Sequence, residues 1–177
     1  APLLTDHQGI MKHILNRLNI DDMLVTKGVV DALDHSSPKF AVGGKLGLDC
    51  TGDEITELGI ILLKDNELLE RMKAITSEVK DLKQYFTDTK NPIAVISVEK
   101  TRNQKYLFED LKPLFEHIKI LIIVENNKND VNNSYMLVWR VANNIDSNRD
   151  LFIDGHTMCL DATNKNAFDN FNRRWPD

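Results

Sequence analysis

The sequence predicts an α/β fold with a mixed, largely parallel sheet flanked by helices and built from two related βαβ-like units. After residue 91, β-branched runs alternate with amphipathic segments, which is typical of strands joined by crossover helices. The run at 120–124 is apolar throughout, as in a strand buried on both faces of a parallel sheet. A helix, a strand preceded by Asp and a Leu-Asp-x-Thr motif occur twice in the same order.

The composition is that of an ordinary globular domain. The chain has 177 residues, of which 42% are hydrophobic and 28% charged, so a core can form without disulfides or metals. A net charge of −5 argues against nucleic-acid binding, which requires clustered Lys and Arg. No apolar run has the roughly 20 residues that span a bilayer. Residues 1–4 do not resemble a signal peptide, and the lack of an initiator Met suggests a piece of a longer chain. Cys50 and Cys159 lack metal-site spacing, so we expect a reduced, cytoplasmic setting.

The first predicted unit covers residues 1–64. Thr5 and Asp6 can cap a helix, because the apolar residues that follow recur on one face; they are Ile10, Ile14, Leu15 and Leu18. Residues 23–25 predict a short buried strand. Residues 26–54 hold several glycines and aspartates, which predicts a long structured loop of the kind that often serves function. The apolar run at 58–63 predicts another strand.

The rest of the chain divides into a linker and a second unit. Residues 65–90 read as a charged amphipathic linker helix, with an apolar stripe that extends from Leu68 to Phe86. The second unit, residues 91–177, has predicted strands at 93–98, 120–124 and 151–153. Its predicted helices are 104–117, with Pro113 as a kink, and 136–143, capped by Ser134 and with Trp139 in the core.

An internal repeat links the two units. Residues 11–20 align without gaps to residues 136–145, and each stretch is followed by an Asp and a strand. Further on, residues 48–51 read Leu-Asp-Cys-Thr and residues 160–163 read Leu-Asp-Ala-Thr. The second copy has only residues 154–156 where the first has its long loop. We therefore expect a duplication in which the first copy alone keeps a functional loop.

Several of these motifs resemble the end of UbiD-type decarboxylases. Residues 30–38, Val-Asp-Ala-Leu-Asp-His-Ser-Ser-Pro, and residues 44–51, Gly-Lys-Leu-Gly-Leu-Asp-Cys-Thr, follow the order of the family's Asp-x-Leu-Asp-x-x-Ser-Pro and Lys-x-Gly-x-Asp-x-Thr stretches. In the second copy, residues 139–150 are similar to the family's Trp and Arg-Asp pattern, and residues 160–165 and 174–176 to its tail. The second copy departs at Thr157 and Cys159, which stand where the first has Lys45 and Gly47.

The resemblance implies the carboxy-terminal region of a carboxy-lyase that removes CO2 from an aromatic or unsaturated acid. It implies prenylated FMN with a divalent metal and potassium, held on a separate flavin-binding domain that has no counterpart here. This chain has no phosphate cradle for a flavin, so alone it is expected to be inactive. It also implies a homo-oligomer and substrates similar to the hydroxybenzoates or naphthoates of quinone biosynthesis. The alternatives are a non-catalytic assembly domain and an independent small-molecule-binding domain.

The candidate site is a substrate-mouth or interdomain loop in the first copy. Its residues are Gly44, Lys45, Asp49, Thr51 and Asp34. Lys45 would contact a substrate carboxylate or a neighbouring domain's acid, and Asp49 and Thr51 would fix the loop.

Plainer or rival interpretations of these residues remain open. Gly43 and Gly44 could form a left-handed turn with a surface lysine behind it. A Ser-His-Asp site at 34–37 lacks the usual nucleophile elbow, and an Asp49 nucleophile lacks its usual companions. The histidines show no metal spacing. Trp175 is expected to dock on the body or on a partner.

Overall fold

A five-stranded mixed sheet carries most of the structure, a computed structural model that describes residues 6–31, 34 and 36–172. The α-helices are α1 (His7–Leu15), α2 (Asp65–Ile75), α3 (Gln104–Asp110), α4 (Ser134–Asn144) and α5 (Ser147–Asp150). The strands are β1 (Met23–Val29), β2 (Val42–Leu48), β3 (Val79–Tyr85), β4 (Ile93–Val98), β5 (Ile120–Glu125), β6 (Leu151–Asp154) and β7 (Thr157–Asp161). Short 3₁₀ helices cover Ile20–Asp22, Lys112–His117 and Ala167–Asp169.

The main sheet has the strand order β3-β4-β5-β7-β6. Its central strands β4, β5 and β7 are parallel, and β3 and β6 pair antiparallel at the two edges. All six residues of β4 are buried, as a strand covered on both faces requires. The predicted α/β fold with a mixed sheet and flanking helices is confirmed.

Two apolar clusters cover the two faces of this sheet. One holds residues of α2, α3 and the Lys112–His117 turn, among them Leu68, Met72, Leu107 and Phe108. The other holds Leu15 and Leu18 from the region of α1, with Leu137 of α4. The amino-terminal helix therefore packs on the sheet formed by the second predicted unit. Asp6 caps that helix by accepting a 2.7 Å hydrogen bond from the Gly9 N–H, which confirms part of its predicted cap; Thr5 lies outside the described residues.

The predicted loop at 26–54 is instead largely a hairpin. β1 and β2 pair antiparallel from Met23↔Leu48 to Val29↔Val42, in a two-stranded sheet of their own. The glycines in β2 concealed the strand, because glycine is depleted in strands and carries no side chain to show alternation. β1 was expected to be buried, yet Leu24 is 66% exposed.

The single linker helix predicted over residues 65–90 is wrong in its second half. α2 ends at Ile75, and Val79–Tyr85 forms an edge strand. A register shift between Val79 and Asp81 is a bulge that sets buried Val79 three residues before buried Leu82. This spacing resembles a helical stripe, so the pattern gave the wrong period. The segment packs into the core rather than linking two bodies, while the division of the chain into domains stays a prediction.

Smaller corrections concern helix ends and one strand. Residues 58–63 pair with no described strand and instead run extended, with the Ile61 N–H donating to the Glu116 carbonyl at 2.8 Å. The helix predicted at 104–117 breaks into α3 and a 3₁₀ turn that contains Pro113 at its start, as the missing proline N–H dictates. Asn133, not Ser134, caps α4. Trp139 is 52% exposed rather than in the core.

A helix followed by an antiparallel hairpin occurs at both places where the sequence repeats. α1 precedes the β1–β2 hairpin, and α4 with α5 precedes the β6–β7 hairpin. What recurs is thus a helix and a hairpin rather than a βαβ unit. A common origin of the two segments stays a prediction.

A buried ion network closes the carboxyl end of β7. Lys165 Nζ lies 2.8 Å from Asp161 Oδ2 and 3.3 Å from Asp150 Oδ1, and all three side chains are at most 3% exposed. Arg149 also binds Asp150, at 2.7 Å. Burial raises the pKa of Asp150, and the neighbouring cations oppose that rise. Without its cations the network would leave buried carboxylates unpaired.

Replacing Lys165 should therefore strongly destabilise the fold. We expect Lys165→Met to lower the free energy of unfolding by about 3–5 kcal/mol, the usual effect of removing one partner of a buried ion pair. Lys12→Met is the matched control, because Lys12 and its partner Asp88 are both well exposed, and such a pair contributes about 1 kcal/mol or less. Urea unfolding of both variants measures the difference, and equal losses would contradict the structural role of Lys165.

Candidate functional site

Gly43 and Gly44 lie inside β2, where they allow close packing against α5. Neither has a positive φ; among the described glycines only Gly59 and Gly155 do. The interpretation of a left-handed turn is therefore wrong. A Cβ on Gly44 would come within 2.6 Å of both Ser147 Oγ and Asn148 Nδ2. Glycine is needed here for close approach, not for an unusual turn.

The hairpin is held at this point by hydrogen bonds to the start of α5. Asp146 Oδ2 accepts from the Gly44 N–H at 2.7 Å, and Asp146 Oδ1 accepts from the Asn148 N–H at 3.0 Å. Asn148 Nδ2 donates to the Thr26 carbonyl, and Arg149 Nη1 donates to the Ser36 carbonyl at 2.8 Å. One carboxylate thus caps a helix and anchors a strand about a hundred residues away.

Lys45 follows the anchored glycine and points away from it. Its neighbour across the hairpin is Thr26, and its side chain is exposed. The methylene stem lies over Gly28, where an added Cβ would be 3.6 Å from Lys45 Cε. Among the described residues no carboxylate pairs with its ammonium group. The geometry therefore presents a cation on a fixed strand, available to an anion from elsewhere.

Asp49 and Thr51 form a small hydrogen-bonded turn just past β2. Asp49 Oδ1 accepts from the Thr51 hydroxyl at 2.7 Å and from the Thr51 N–H at 3.0 Å. These two bonds lower the pKa of Asp49. The predicted loop-fixing pair is thus brought together, and an Asp49 nucleophile has no described base beside it.

The second copy repeats this turn in a buried setting. Asp161 Oδ1 accepts from the Thr163 hydroxyl at 2.6 Å and from the Thr163 N–H at 3.0 Å. Both residues are almost fully buried, and Lys100 and Lys165 contact the turn. The turn geometry therefore comes from the Asp-x-Thr pattern itself rather than from its surroundings.

Asp34 lies at the far side of the hairpin from Asp49. Its Oδ1 accepts from the Ser36 hydroxyl at 2.6 Å and from the Ser36 N–H at 2.9 Å, the capping role that the sequence indicated. His35 lies outside the described residues, so the Ser-His-Asp arrangement stays untested. The run from Gly44 to Asp49 spans roughly 16 Å of extended chain, so Gly44 and Lys45 do not share a cluster with the Asp49–Thr51 turn.

Sequence reasoning missed Asp146 and Asn148 as site residues. Their role depends on a contact between segments that are far apart in sequence, which local patterns do not show. The family-like Arg-Asp pattern at 149–150 was the one available signal. Trp175 and residues 174–176 lie outside the described residues.

The described residues contain no cluster of side chains that could hold a metal ion. Across 6–31, 34 and 36–172, no group of three or more His, Cys, Asp or Glu side chains could hold a metal ion. His117 is used in packing, since its Nδ1 lies 2.8 Å from the Ile61 carbonyl and its Nε2 3.1 Å from Arg71. No step of chemistry is therefore assigned to such a group on this chain.

Within the described part of the chain, every helix is too short or too polar to cross a bilayer.

A comparison with family models places the chain in one family. A family model described as the 3-octaprenyl-4-hydroxybenzoate carboxy-lyase C-terminal domain matches residues 3–50 and 60–169. Two uncharacterized proteins of Helicobacter pylori, from strains J99 and 26695, are each 45% identical over 179 residues. The match covers 99% of this chain and 29% of either relative, so the chain spans less than a third of their length.

Solved structures share the fold. An evolved dimeric form of the UbiD-class enzyme HmfF from Pelotomaculum thermopropionicum, in complex with prFMN, matches with a TM-score of 0.50 and 23% identity. The match covers 63% of this chain and 26% of that one. At this identity the likeness supports the architecture alone. A second HmfF structure, in complex with FMN, matches with a TM-score of 0.47 and 19% identity over 63% of this chain and 29% of that one.

The close approach at Gly44 predicts a strong response to one added methyl group. Gly44→Ala should lower the free energy of unfolding by about 1–3 kcal/mol, because the new Cβ overlaps Ser147 and Asn148. Gly52→Ala is the control, since a Cβ there meets nothing within 4 Å, and its effect should stay within about 0.5 kcal/mol. Denaturant unfolding measures both, and a neutral Gly44→Ala would show that the hairpin is not packed on α5.

The Asp49 turn predicts a pH effect of known sign. A lowered folded-state pKa means that the ionised Asp49 stabilises the fold above its unfolded pKa, and that this contribution is lost as pH falls through the folded pKa. Thr51→Val should raise the pKa of Asp49 toward its ordinary value and weaken that acid-range dependence, because the hydroxyl bond is lost while the residue 51 N–H still donates. Carboxyl-carbon NMR titration measures it, with Asp88 as the internal reference, because its pKa is lowered by Lys12 instead. An Asp49 titration that does not move would refute the assignment.

Proposed function

The chain belongs to the UbiD carboxy-lyase family, of which it is a carboxy-terminal region, and from this premise we propose that the whole protein decarboxylates an aromatic acid. The matching family model is described by a carboxy-lyase acting on 3-octaprenyl-4-hydroxybenzoate, which supports a hydroxybenzoate- or naphthoate-like substrate of quinone biosynthesis. The relatives' greater length leaves room for the reactive domain outside this chain.

The chemistry itself is proposed to take place outside these residues. Loss of CO2 leaves an electron pair on carbon, and a cofactor accepts such a pair far better than side chains do. The flavin-binding domain of the longer polypeptide would supply prenylated FMN, with a divalent metal and potassium. The complex of a UbiD-class enzyme with prFMN supports this choice of cofactor.

The role proposed for this region is to place Lys45 at the mouth of the active site or at a domain boundary. The anchoring of Gly44 by Asp146 carries the proposal, because it holds the strand in position while Lys45 faces outward. A free ammonium group on a fixed strand suits a substrate carboxylate or a neighbouring domain's Asp or Glu. Asp34, Asp49 and Thr51 would shape the ends of the same hairpin.

A second candidate function is a non-catalytic assembly domain, and one surface favours it. α4 exposes Tyr135, Val138 and Trp139, which are 82%, 70% and 52% exposed and lie on one side of the helix. Its opposite side packs on the sheet through Leu137. A helix that is apolar on two sides is suited to a partner, so a homo-oligomer formed through α4 is proposed for either function.

A charge substitution separates the two functions. In the full-length protein, Lys45→Met should lower kcat/KM roughly 10- to 100-fold, since a hydrogen bond to a charged group contributes about 1.5–3 kcal/mol. Light scattering should show an unchanged mass. Lys27→Met is the matched control, because Lys27 is equally exposed on the partner strand.

The turnover and the mass of the Lys45→Met variant together distinguish the two proposed functions. Loss of turnover with intact mass supports the proposed loop role. Unchanged kinetics for Lys45→Met would exclude it, and unchanged kinetics with intact mass would favour the assembly function, whose surface lies on α4.

A further inference from the structure

The two hairpins are paired in the same register. β1 and β2 pair as Met23↔Leu48 through Thr26↔Lys45, and β6 and β7 pair as Leu151↔Leu160 through Asp154↔Thr157. When Met23 is placed on Leu151, Leu48 falls on Leu160 and all four pairs coincide. Each hairpin then continues into an Asp-x-Thr turn with the same two hydrogen bonds. The hairpins are therefore equivalent in backbone geometry as well as in sequence.

The second hairpin has a neighbour that the first lacks. β7 pairs on its outer edge with the apolar strand β5, parallel, and donates from the Met158 and Ala162 N–H groups to the Lys119 and Ile123 carbonyls, both at 2.9 Å. The equivalent residues of the first hairpin are Leu46 and Cys50. In the described part of the chain, β2 pairs with no strand except β1, and no group accepts from the Cys50 N–H. An unpaired strand edge of this kind is a template for another strand.

One face of the first hairpin is bare where the second is covered. Phe152 packs against Phe108 of α3 at 5.9 Å between ring centroids, and Cys159 beside it is fully buried. The equivalents are Leu24, which is 66% exposed, and Gly47, also exposed. Among the described residues of the hairpin, Leu24 is the one large apolar side chain on this face, which it shares with Thr26 and Lys45, and an isolated two-stranded hairpin is only marginally stable in water. The open edge of β2 and the exposed Leu24 are both explained if one further layer, a strand with a helix, packs against this hairpin.

We propose that an upstream segment of the longer polypeptide completes this layer. In it, an apolar strand pairs parallel with β2 as β5 pairs with β7, and a helix covers Leu24. The occupant lies upstream because in the second unit the strands and helices from α2 to β5 precede the hairpin. The whole protein thus contains two carboxy-terminal sheets, and β1–β2 is the last hairpin of the first.

Two further observations identify the occupant as part of the same polypeptide. The family model matches in two stretches, and the first ends at residue 50, next to the first Asp-x-Thr turn, while the second contains α2 to β7. The first stretch thus has the hairpin but not the layer that covers it. The relatives at 45% identity carry about 70% of their length outside the matched region, enough for such a segment. The proposal rests on family membership and not on decarboxylase activity.

Hydrogen exchange in the full-length protein tests the pairing. The outward-facing backbone amides of Leu46 and Cys50 should exchange as slowly as those of Met158 and Ala162, at least about a hundredfold slower than free peptide, because both edges are paired strands. Rapid exchange at Leu46 and Cys50 alone would overturn the proposal. Activity is not the readout, so a failure here leaves the proposed decarboxylase role to be judged by its own experiment.

Cross-linking identifies the occupant. Amine-specific cross-linking of mixed light- and heavy-isotope full-length protein should join Lys45 to an upstream segment of the same chain. Cross-links from Lys45 only between light and heavy chains would overturn the proposal in favour of a second copy. Cross-links only to a flavin-binding domain would overturn it in favour of that domain.

A variant pair gives an independent check. Leu24→Asp should make the Leu46 and Cys50 amides exchange fast while those of Met158 and Ala162 stay protected, because a buried unpaired charge disrupts the covering layer. Ile61→Asp is the matched control, since Ile61 is 61% exposed and lies outside the β1–β2 hairpin. If the two variants behave alike, Leu24 is a solvent-exposed residue in the full-length protein and the covering layer does not exist.

Discussion

The carboxylate of Asp146 is the contact on which the placement of the hairpin depends. It is 3% exposed, and it accepts from the Gly44 and Asn148 N–H groups while its own N–H donates to Asp150 at 2.7 Å. A buried carboxylate must be satisfied by such donors, or it costs several kcal/mol. Asp150 in turn belongs to the ion network with Lys165. The position of the outer hairpin is thus set by polar contacts that begin at the carboxyl end of β7.

The same arrangement explains why the two copies differ where they do. Thr157 and Cys159 are fully buried inside the five-stranded sheet, where a lysine would be a costly unpaired charge. Thr157 uses its hydroxyl to bind the Ile118 carbonyl at 2.7 Å. Lys45 and Gly47 occupy the equivalent places on a hairpin that the described residues leave exposed. The copy that keeps the family-like Lys-x-Gly pattern is therefore the one whose lysine the described residues leave exposed.

Strands β4 and β5 and the α/β class followed from the sequence, because β4 and β5 are short continuous apolar runs that little else can explain. The central strand β7 was not predicted. The edge strand β3 and the hairpin strand β2 did not follow. The bulge in β3 mimics a helical stripe, and the glycines of β2 remove the alternation that marks a strand. At the site, Asp49 and Asp34 could be predicted because their partners are two residues away. The function of Gly44 could not, because its partner Asp146 is 102 residues away.

The hydrogen bond from Gly44 to Asp146 does not by itself fix the position of the whole hairpin. The bonds from Asp146 and Asn148 hold the outer edge of β2 at Gly44 and the facing part of β1. Farther along that edge, no described strand pairs with β2 from Leu46 onward, and Leu24 is 66% exposed. One covering element that pairs with this edge and also packs on Leu24 is therefore favoured. An element that did only one of these would leave either unpaired backbone amides or apolar surface in contact with water. Where Lys45 finally points in the whole protein is therefore decided jointly, by the anchor within this chain and by the element that covers it.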